Sequence, residues 1–211
     1  MISRAFTQHQ DSVRRNLGAG FTLVETIVVI AVTTLITLTL GTLLVYFYKT
    51  NAYTLEQSTQ VAQARRGVED AMKDLREASY GSDGSYPIAT ASTSQIAFYA
   101  NVNNDVNIER ITYTRIGGTL YRTTLAVTGN PPTYVGGTYA TSTVATSVTN
   151  NSGTPIFQYY NESGNLLAQP VDTSKVASVK TTLVIDVNVN RAPIAFTLSG
   201  AATLRNLKSQ L

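Results

Sequence analysis

The sequence contains no cysteine and only one histidine, His9. Without thiols there is no disulfide, no thiolate zinc ligand and no cysteine nucleophile. One imidazole does not make a histidine-rich metal site, and a Ser-His-Asp triad would need His9 to lie in the folded body. No group of acid, base and nucleophile has catalytic spacing either. We therefore expect a protein that is not an enzyme and that uses no cofactor and no metal.

Charge is also scarce, at 14% of 211 residues, whereas soluble domains average about 25%. The formal net charge of +3 is concentrated near the start, where Arg4, Arg14 and Arg15 are balanced only by Asp11. The rest of the chain is nearly neutral. The basic excess therefore indicates membrane topology and not a polyanionic ligand.

Residues 21–48 form a long apolar run whose one charged residue is Glu25. A helix needs roughly 20 apolar residues to cross a bilayer, so the run predicts a single membrane span. The preceding arginines place residues 1–20 in the cytoplasm and the remainder outside. A secretory signal peptide has a shorter core that ends on small residues, which fits the run poorly. A carboxylate near the end of a span is costly, so Glu25 is either functional or solvated among lipid headgroups.

The basic leader, the sequence GFTLVE at residues 20–25 and the apolar run together resemble the signal of the type IV pilin and pseudopilin superfamily. The resemblance implies that a prepilin peptidase cuts between Gly20 and Phe21 and methylates the new amine of Phe21. It also implies that Glu25 pairs with the amine of a neighbouring subunit in the filament core. The implied partners are that peptidase, other pilin or pseudopilin subunits, assembly platform proteins and membrane lipid.

Residues 49–80 continue as an amphipathic helix. Apolar residues recur every three or four positions, at Leu55, Val61, Ala64, Val68, Met72, Leu75 and Ala78. Polar residues fill the other positions, among them Glu56, Gln57, Arg65, Glu69 and Lys73. Residues 81–84, which include two glycines, end the pattern, and Pro87 follows. We expect one continuous helix over residues 21–80.

Residues 85–211 are typical of an antiparallel β head. Strand-like runs occupy residues 95–100, 108–116, 119–127, 179–189 and 193–204, and Gly117-Gly118 marks a hairpin. The expected fold class is α+β, with the long N-terminal helix packed on the sheet. Residues 128–154, rich in Thr, Ser, Gly and Asn, predict a long exposed loop that is either functional or an idle insertion. Its few apolar residues, among them Tyr134, Tyr139 and Val144, could supply one irregular strand.

Three strings of the head are similar to minor pilins and pseudopilins of the PilW and GspJ kind. They are IAFYANVNNDVNIERITYTRIGGTLYR from residue 96, FQYYNESGNLL from residue 157 and AATLRN from residue 201. The similarity implies a structural or priming subunit of a type IV pilus or a type II secretion-like filament. The chain would then lie first in the cytoplasmic membrane and later in an extracellular filament. Two alternatives remain: a tip module for adhesion or for DNA uptake in competence, and a membrane-anchored ectodomain that never polymerises.

Two groups of head residues are candidate ligand sites. Arg110, Arg115, Arg122, Tyr113 and Tyr121 combine cations with aromatic rings, which is typical of single-stranded DNA surfaces. Ile111 and Tyr113 alternate with Arg110 and Arg122 in strand positions, so we also expect one face to be core and the other solvated. Oxygen-bearing side chains also alternate over residues 101–109, but only two of them are carboxylates and the glycine of a calcium loop is missing. The second pattern favours an asparagine-rich hairpin loop over a metal site.

Overall fold

The computed structural model describes residues 20–103, 105–190 and 195–204, which fall into two compact units, Met1–Thr50 and Asn51–Leu211. One helix, α1 at Leu23–Arg76, contributes residues to both units. The strands are β1 Ile88–Ala91, β2 Gln95–Ala100, β3 Glu109–Ile116, β4 Thr119–Leu125, β5 Tyr139–Ala145, β6 Phe157–Tyr160, β7 Ser178–Ile185 and β8 Phe196–Thr203, with a short 3-10 helix at Thr173–Lys175.

In the first unit, α1 exposes its apolar side chains on all sides, as Leu35 and Phe47 illustrate at 66% and 63% exposure. The threonine hydroxyls of this unit are satisfied within the helix, because those of Thr33 and Thr37, for example, donate hydrogen bonds to backbone carbonyls four residues earlier. Within the described residues, α1 is the one helix long and apolar enough to cross a membrane, by length and composition alone. The expected membrane span therefore lies in a regular helix.

The second unit confirms the α+β fold class. A five-stranded antiparallel sheet has the order β1-β2-β3-β4-β5, and a three-stranded antiparallel sheet has the order β6-β7-β8. The later part of α1 packs against both sheets, because one side of it is apolar and the inward positions of the strands are apolar too.

The core of the second unit contains large side chains from both sheets around the buried side of α1. Phe98 of β2 stacks on Tyr113 of β3, with ring centroids 6.2 Å apart. The second sheet contributes Phe157 and Leu183, which are fully buried. Gly200 lets β8 approach α1, since an added Cβ would lie 2.9 Å from the side chain of Val68.

The predicted ends of several elements differ from the observed ones. The helix stops at Arg76 instead of residue 80, because Ala78 already pairs with Ala100 in a β-bridge. Strands predicted over 95–100, 108–116, 119–127 and 179–189 are confirmed, with bounds that move by up to four residues. The last predicted strand is observed as β8, and its residues 193 and 194 lie outside the described part. The short strands β1 and β6 were not predicted.

The expectation of a long exposed loop over residues 128–154 was wrong in part, since the one strand that its apolar residues could supply is present. Residues 139–145 form β5, which pairs with β4 along its length. Tyr134, Val148 and Asn150 in the same stretch are buried. A strand made mostly of small residues (YATSTVA) has a weak apolar alternation, so its pairing depends on the neighbouring strand more than on its own sequence.

Candidate functional site

The GFTLVE motif lies at the start of α1, where the chain enters the helix. Phe21 is 78% exposed, and among the described residues, apart from its chain neighbours, no atom lies within 4 Å of the position that a Cβ on Gly20 would occupy. Within the part of the chain that the structure describes, no side chain therefore blocks the approach of an enzyme to the peptide bond between these residues. Residues 1–19 of the predicted leader lie outside the described part.

Thr22 caps the helix and was not singled out by the sequence analysis. Its Oγ1 accepts a hydrogen bond from the backbone N–H of Glu25, at 3.2 Å. The spacing Thr-x-x-Glu is the sequence signal of a capping box, so this contact could have been found from the sequence. Glu25 also lies in the first turn, where the helix dipole favours a carboxylate. Helix capping is thus a second explanation for this acid in an apolar run.

The structure divides the five residues of the predicted ligand surface between opposite faces of the sheet. On β3 and β4, Tyr113, Arg115 and Arg122 occupy positions that alternate with those of Arg110 and Tyr121 in the observed register. Tyr113 is fully buried against α1, as the core face of the strand pattern predicts, whereas Arg122 lies on this face and not beside Arg110. The five candidate residues therefore do not share one surface. The physical reason is the two-residue period of a strand, which separates neighbours onto opposite faces.

Tyr113 and Arg122 belong to a polar network beneath α1. Asp74 Oδ2 accepts hydrogen bonds from the Tyr113 hydroxyl and from Arg122 Nε, both at 2.9 Å. Arg122 Nη1 also donates to Thr124 Oγ1 at 3.0 Å. Burial, and then the charge of Asp74, raise the pKa of Tyr113 well above its ordinary range. Burial alone would lower the pKa of Arg122, but Asp74 raises it, so the network joins helix to sheet as a charged pair.

Arg115 joins the end of β3 to the segment after β5. Its Nη1 donates to the carbonyl of Asn150 at 2.8 Å and its Nη2 to the carbonyl of Val148 at 2.9 Å. The side-chain amide of Asn150 in turn donates to the carbonyl of Thr182 and accepts from the N–H of Val184 on β7. Arg115 therefore links the two sheets through both of its terminal nitrogens.

Arg110 and Tyr121 point away from α1, on the outward side of the sheet. A depression of about 250 Å³ on this side is lined by Arg110, Thr112, Thr123, Leu125 and Tyr139. Tyr134 covers the adjoining part of the sheet, where its ring packs on that of Tyr99 at a centroid distance of 5.0 Å. The outward side thus retains one cation from the predicted surface.

The asparagine-rich segment folds around Glu109, which is 2% exposed. Its carboxylate accepts hydrogen bonds from the backbone N–H of Val102 and from the side-chain amide of Asn103, at 3.2 and 2.9 Å. Asp105 accepts from the N–H of Asn107 at 2.7 Å. Within the described part of the segment, both carboxylates are thus engaged in shaping the hairpin loop.

No protein-family model matches this chain, and no curated protein matches it either. The functional assignment therefore rests on the motif at residues 20–25 and on the geometry of α1 and the sheets.

Proposed function

We propose that this chain is a minor pilin or pseudopilin, a structural or priming subunit of a type IV pilus or a type II secretion-like filament. It is made as a precursor that a prepilin peptidase cuts between Gly20 and Phe21, with methylation of Phe21. Residues 21–48 hold the subunit in the cytoplasmic membrane, with its head outside, until it enters the filament.

The observation that carries this proposal is the change in the surroundings of one helix along its length. Up to Tyr48, α1 exposes its large apolar side chains, whereas from Ala64 onward it buries a row of them against the two sheets. So much exposed apolar surface must be covered by another apolar phase. Lipid covers it before assembly, and the helices of neighbouring subunits cover it afterwards.

The presence of Glu25 favours a subunit that assembles into a filament over a protein that is only anchored in the membrane. A carboxylate on an apolar stem is costly in hydrocarbon unless a cation pairs with it. Cleavage before Phe21 creates such a cation, the new terminal amine of another subunit. Helix capping through Thr22 accounts for an acid at this position but does not require polymerisation, so the two roles need separate tests.

The proposal is tested by coexpressing the full chain with a prepilin peptidase and measuring the intact mass of the membrane-extracted product. We expect the loss of the first 20 residues and one added methyl group on Phe21. Gly20→Glu should block cleavage, since the enzyme must approach the backbone at this residue. Gly18→Ala, two residues away, should not. An unprocessed chain beginning at Met1 in the presence of an active peptidase would contradict the proposal.

A tip binding module is the second candidate, and the outward side of the sheet favours it. This side holds a depression beside Arg110, and it lies apart from the core that joins the sheet to α1. Such a module would still be processed and assembled as above, so the two functions are compatible.

A further inference from the structure

The outward side of β3, β4 and β5 presents ordered rows of side chains across the three strands. One row holds Arg110, Leu125 and Tyr139, and the next holds Thr112, Thr123 and Thr141. The hydroxyls of Thr123 and Thr141 lie 3.1 Å apart, within hydrogen-bond distance. The sheet thus fixes an arginine, an aromatic ring and several hydroxyls in neighbouring positions on a rigid surface.

Among the residues that the structure describes, Arg110 has no counter-charge. Its side chain makes none of the hydrogen bonds or ion pairs recorded among the described residues, and its Nε is buried without a partner. The outward positions of β2 to β5 contain no aspartate or glutamate. A guanidinium in this state attracts a carboxylate, which it holds by two parallel hydrogen bonds.

The other residues that line the depression can contact the C–H groups and the hydroxyls of a sugar ring. Tyr139 is 68% exposed and offers an aromatic face, which packs well against the C–H groups of a pyranose. Thr112 and Thr123 offer hydroxyls that both donate and accept hydrogen bonds. A volume of about 250 Å³ is below the range of drug-sized pockets and suits one monosaccharide unit.

We propose that this depression binds a carboxylated sugar, such as a uronic acid unit of an acidic polysaccharide. Arg110 holds the carboxylate, the ring lies against Tyr139, and the threonine hydroxyls bind the ring hydroxyls. The site is independent of the filament role, because none of its residues belongs to α1 or to the GFTLVE motif.

Single-stranded DNA fits the same surface less well. A nucleic-acid groove aligns several cations with successive phosphates, and the structure leaves only Arg110 of the three predicted arginines on this side. An acidic peptide would satisfy Arg110 but would leave the exposed face of Tyr139 and the threonine hydroxyls without specific partners.

The test is an NMR or calorimetric titration of the full chain in detergent micelles. The probes are a short oligoglucuronate, the neutral oligoglucose of equal length, a glutamate hexapeptide and oligothymidylate. We expect oligoglucuronate to bind with a dissociation constant of about 1 mM or tighter, and the other three at least tenfold more weakly. Arg110→Gln should weaken binding of oligoglucuronate at least tenfold and Tyr139→Ala at least threefold. Arg65→Gln removes an exposed charge on α1 and should leave binding unchanged.

Each other outcome overturns the proposal. Equal binding of the peptide would show that the carboxylate alone is recognised, and tighter binding of oligothymidylate would indicate a nucleic-acid surface. Oligoglucuronate binding that survives both Arg110→Gln and Tyr139→Ala would place the ligand elsewhere. Absence of oligoglucuronate binding would remove the site altogether. Because Tyr139 is exposed, we expect Tyr139→Ala to fold, so its effect on oligoglucuronate binding can be measured even if Arg110→Gln fails to fold.

Discussion

Asp74 on α1 and Arg122 on β4 form an ion pair, with 2.9 Å between Asp74 Oδ2 and Arg122 Nε. Their side chains are only 11% and 25% exposed, and the Tyr113 hydroxyl donates to the same carboxylate oxygen. This contact is a polar connection between helix and sheet beside a largely apolar core. It explains why Tyr113 and Arg122, which the sequence suggested as ligand-binding residues, have a structural role.

Asp74→Asn should destabilise the head, because it leaves the Arg122 guanidinium partly buried without its counter-charge. We expect a loss of about 3 kcal/mol in the free energy of unfolding, measured by urea denaturation of the full chain in micelles. The matched control is Glu69→Gln, which breaks the exposed pair with Arg65 and should cost less than about 0.5 kcal/mol. Equal costs for the two variants would contradict a structural role for Asp74.

Alkaline pH should weaken the head through Tyr159. Burial raises the pKa of its hydroxyl above the ordinary value of 10.0, and the hydroxyl donates to the carbonyl of Ser92 at 2.8 Å. The folded state therefore holds this proton more tightly than the unfolded chain does. Its contribution to stability is complete below about pH 10 and decreases as the pH rises further, by about 1.4 kcal/mol per pH unit.

Tyr159→Phe removes this titrating group, so the decrease in unfolding free energy between about pH 10 and pH 12 should become shallower by that amount. Urea denaturation at several pH values measures the slope independently of any uniform loss of stability. An unchanged slope would mean that the buried hydroxyl does not contribute to the alkaline transition.

Gly67 marks the closest approach of α1 to β5. A Cβ at this position would overlap the side chain of Val144 and lie 3.0 Å from its carbonyl oxygen. Gly67→Ala should cost about 1–2 kcal/mol, since the overlap with the Val144 side chain, together with the short approach to its carbonyl oxygen, outweighs the gain in helix propensity. Gly41→Ala, in an open part of the same helix, should leave the unfolding free energy of the head unchanged. A stabilising effect at Gly67 would contradict the observed position of β5.

The sequence predicted those elements whose periodicity is set by burial. The alternation of Ile111 and Tyr113 indicated β3, and the glycine pair after it indicated the turn, where Gly117 has a φ of 59°. The pattern over residues 49–80 likewise indicated one helical side against the head.

The features that the sequence did not predict are contacts between residues far apart in the chain. Gln57 looks like a solvent-facing residue of the amphipathic helix, yet it is buried, with its amide bonded to the backbone of Ile185 and Val187. The apolar residues Tyr139 and Val144 allowed a strand in this stretch, but the bounds of β5 depend on the free edge that β4 offers. The division of the arginines between two faces follows from the strand period, but the side facing α1 becomes known only from the packing.

Glu25→Ala is the variant that tests polymerisation. It should leave membrane insertion and cleavage intact, because the apolar run and the Gly20-Phe21 bond are unchanged. It should abolish incorporation into filaments if the carboxylate pairs with the amine of a neighbouring subunit. Thr22→Val is the matched control, since it removes the helix cap at a cost of about 1 kcal/mol but keeps the acid.

The most direct measurement is therefore the amount of this subunit in filaments sheared from cells that carry their own assembly machinery. We predict that the processed wild-type chain and Thr22→Val are present in the sheared fraction, whereas Glu25→Ala remains in the membrane. A wild-type chain that is processed but stays entirely in the membrane fraction would contradict the assignment as a filament subunit.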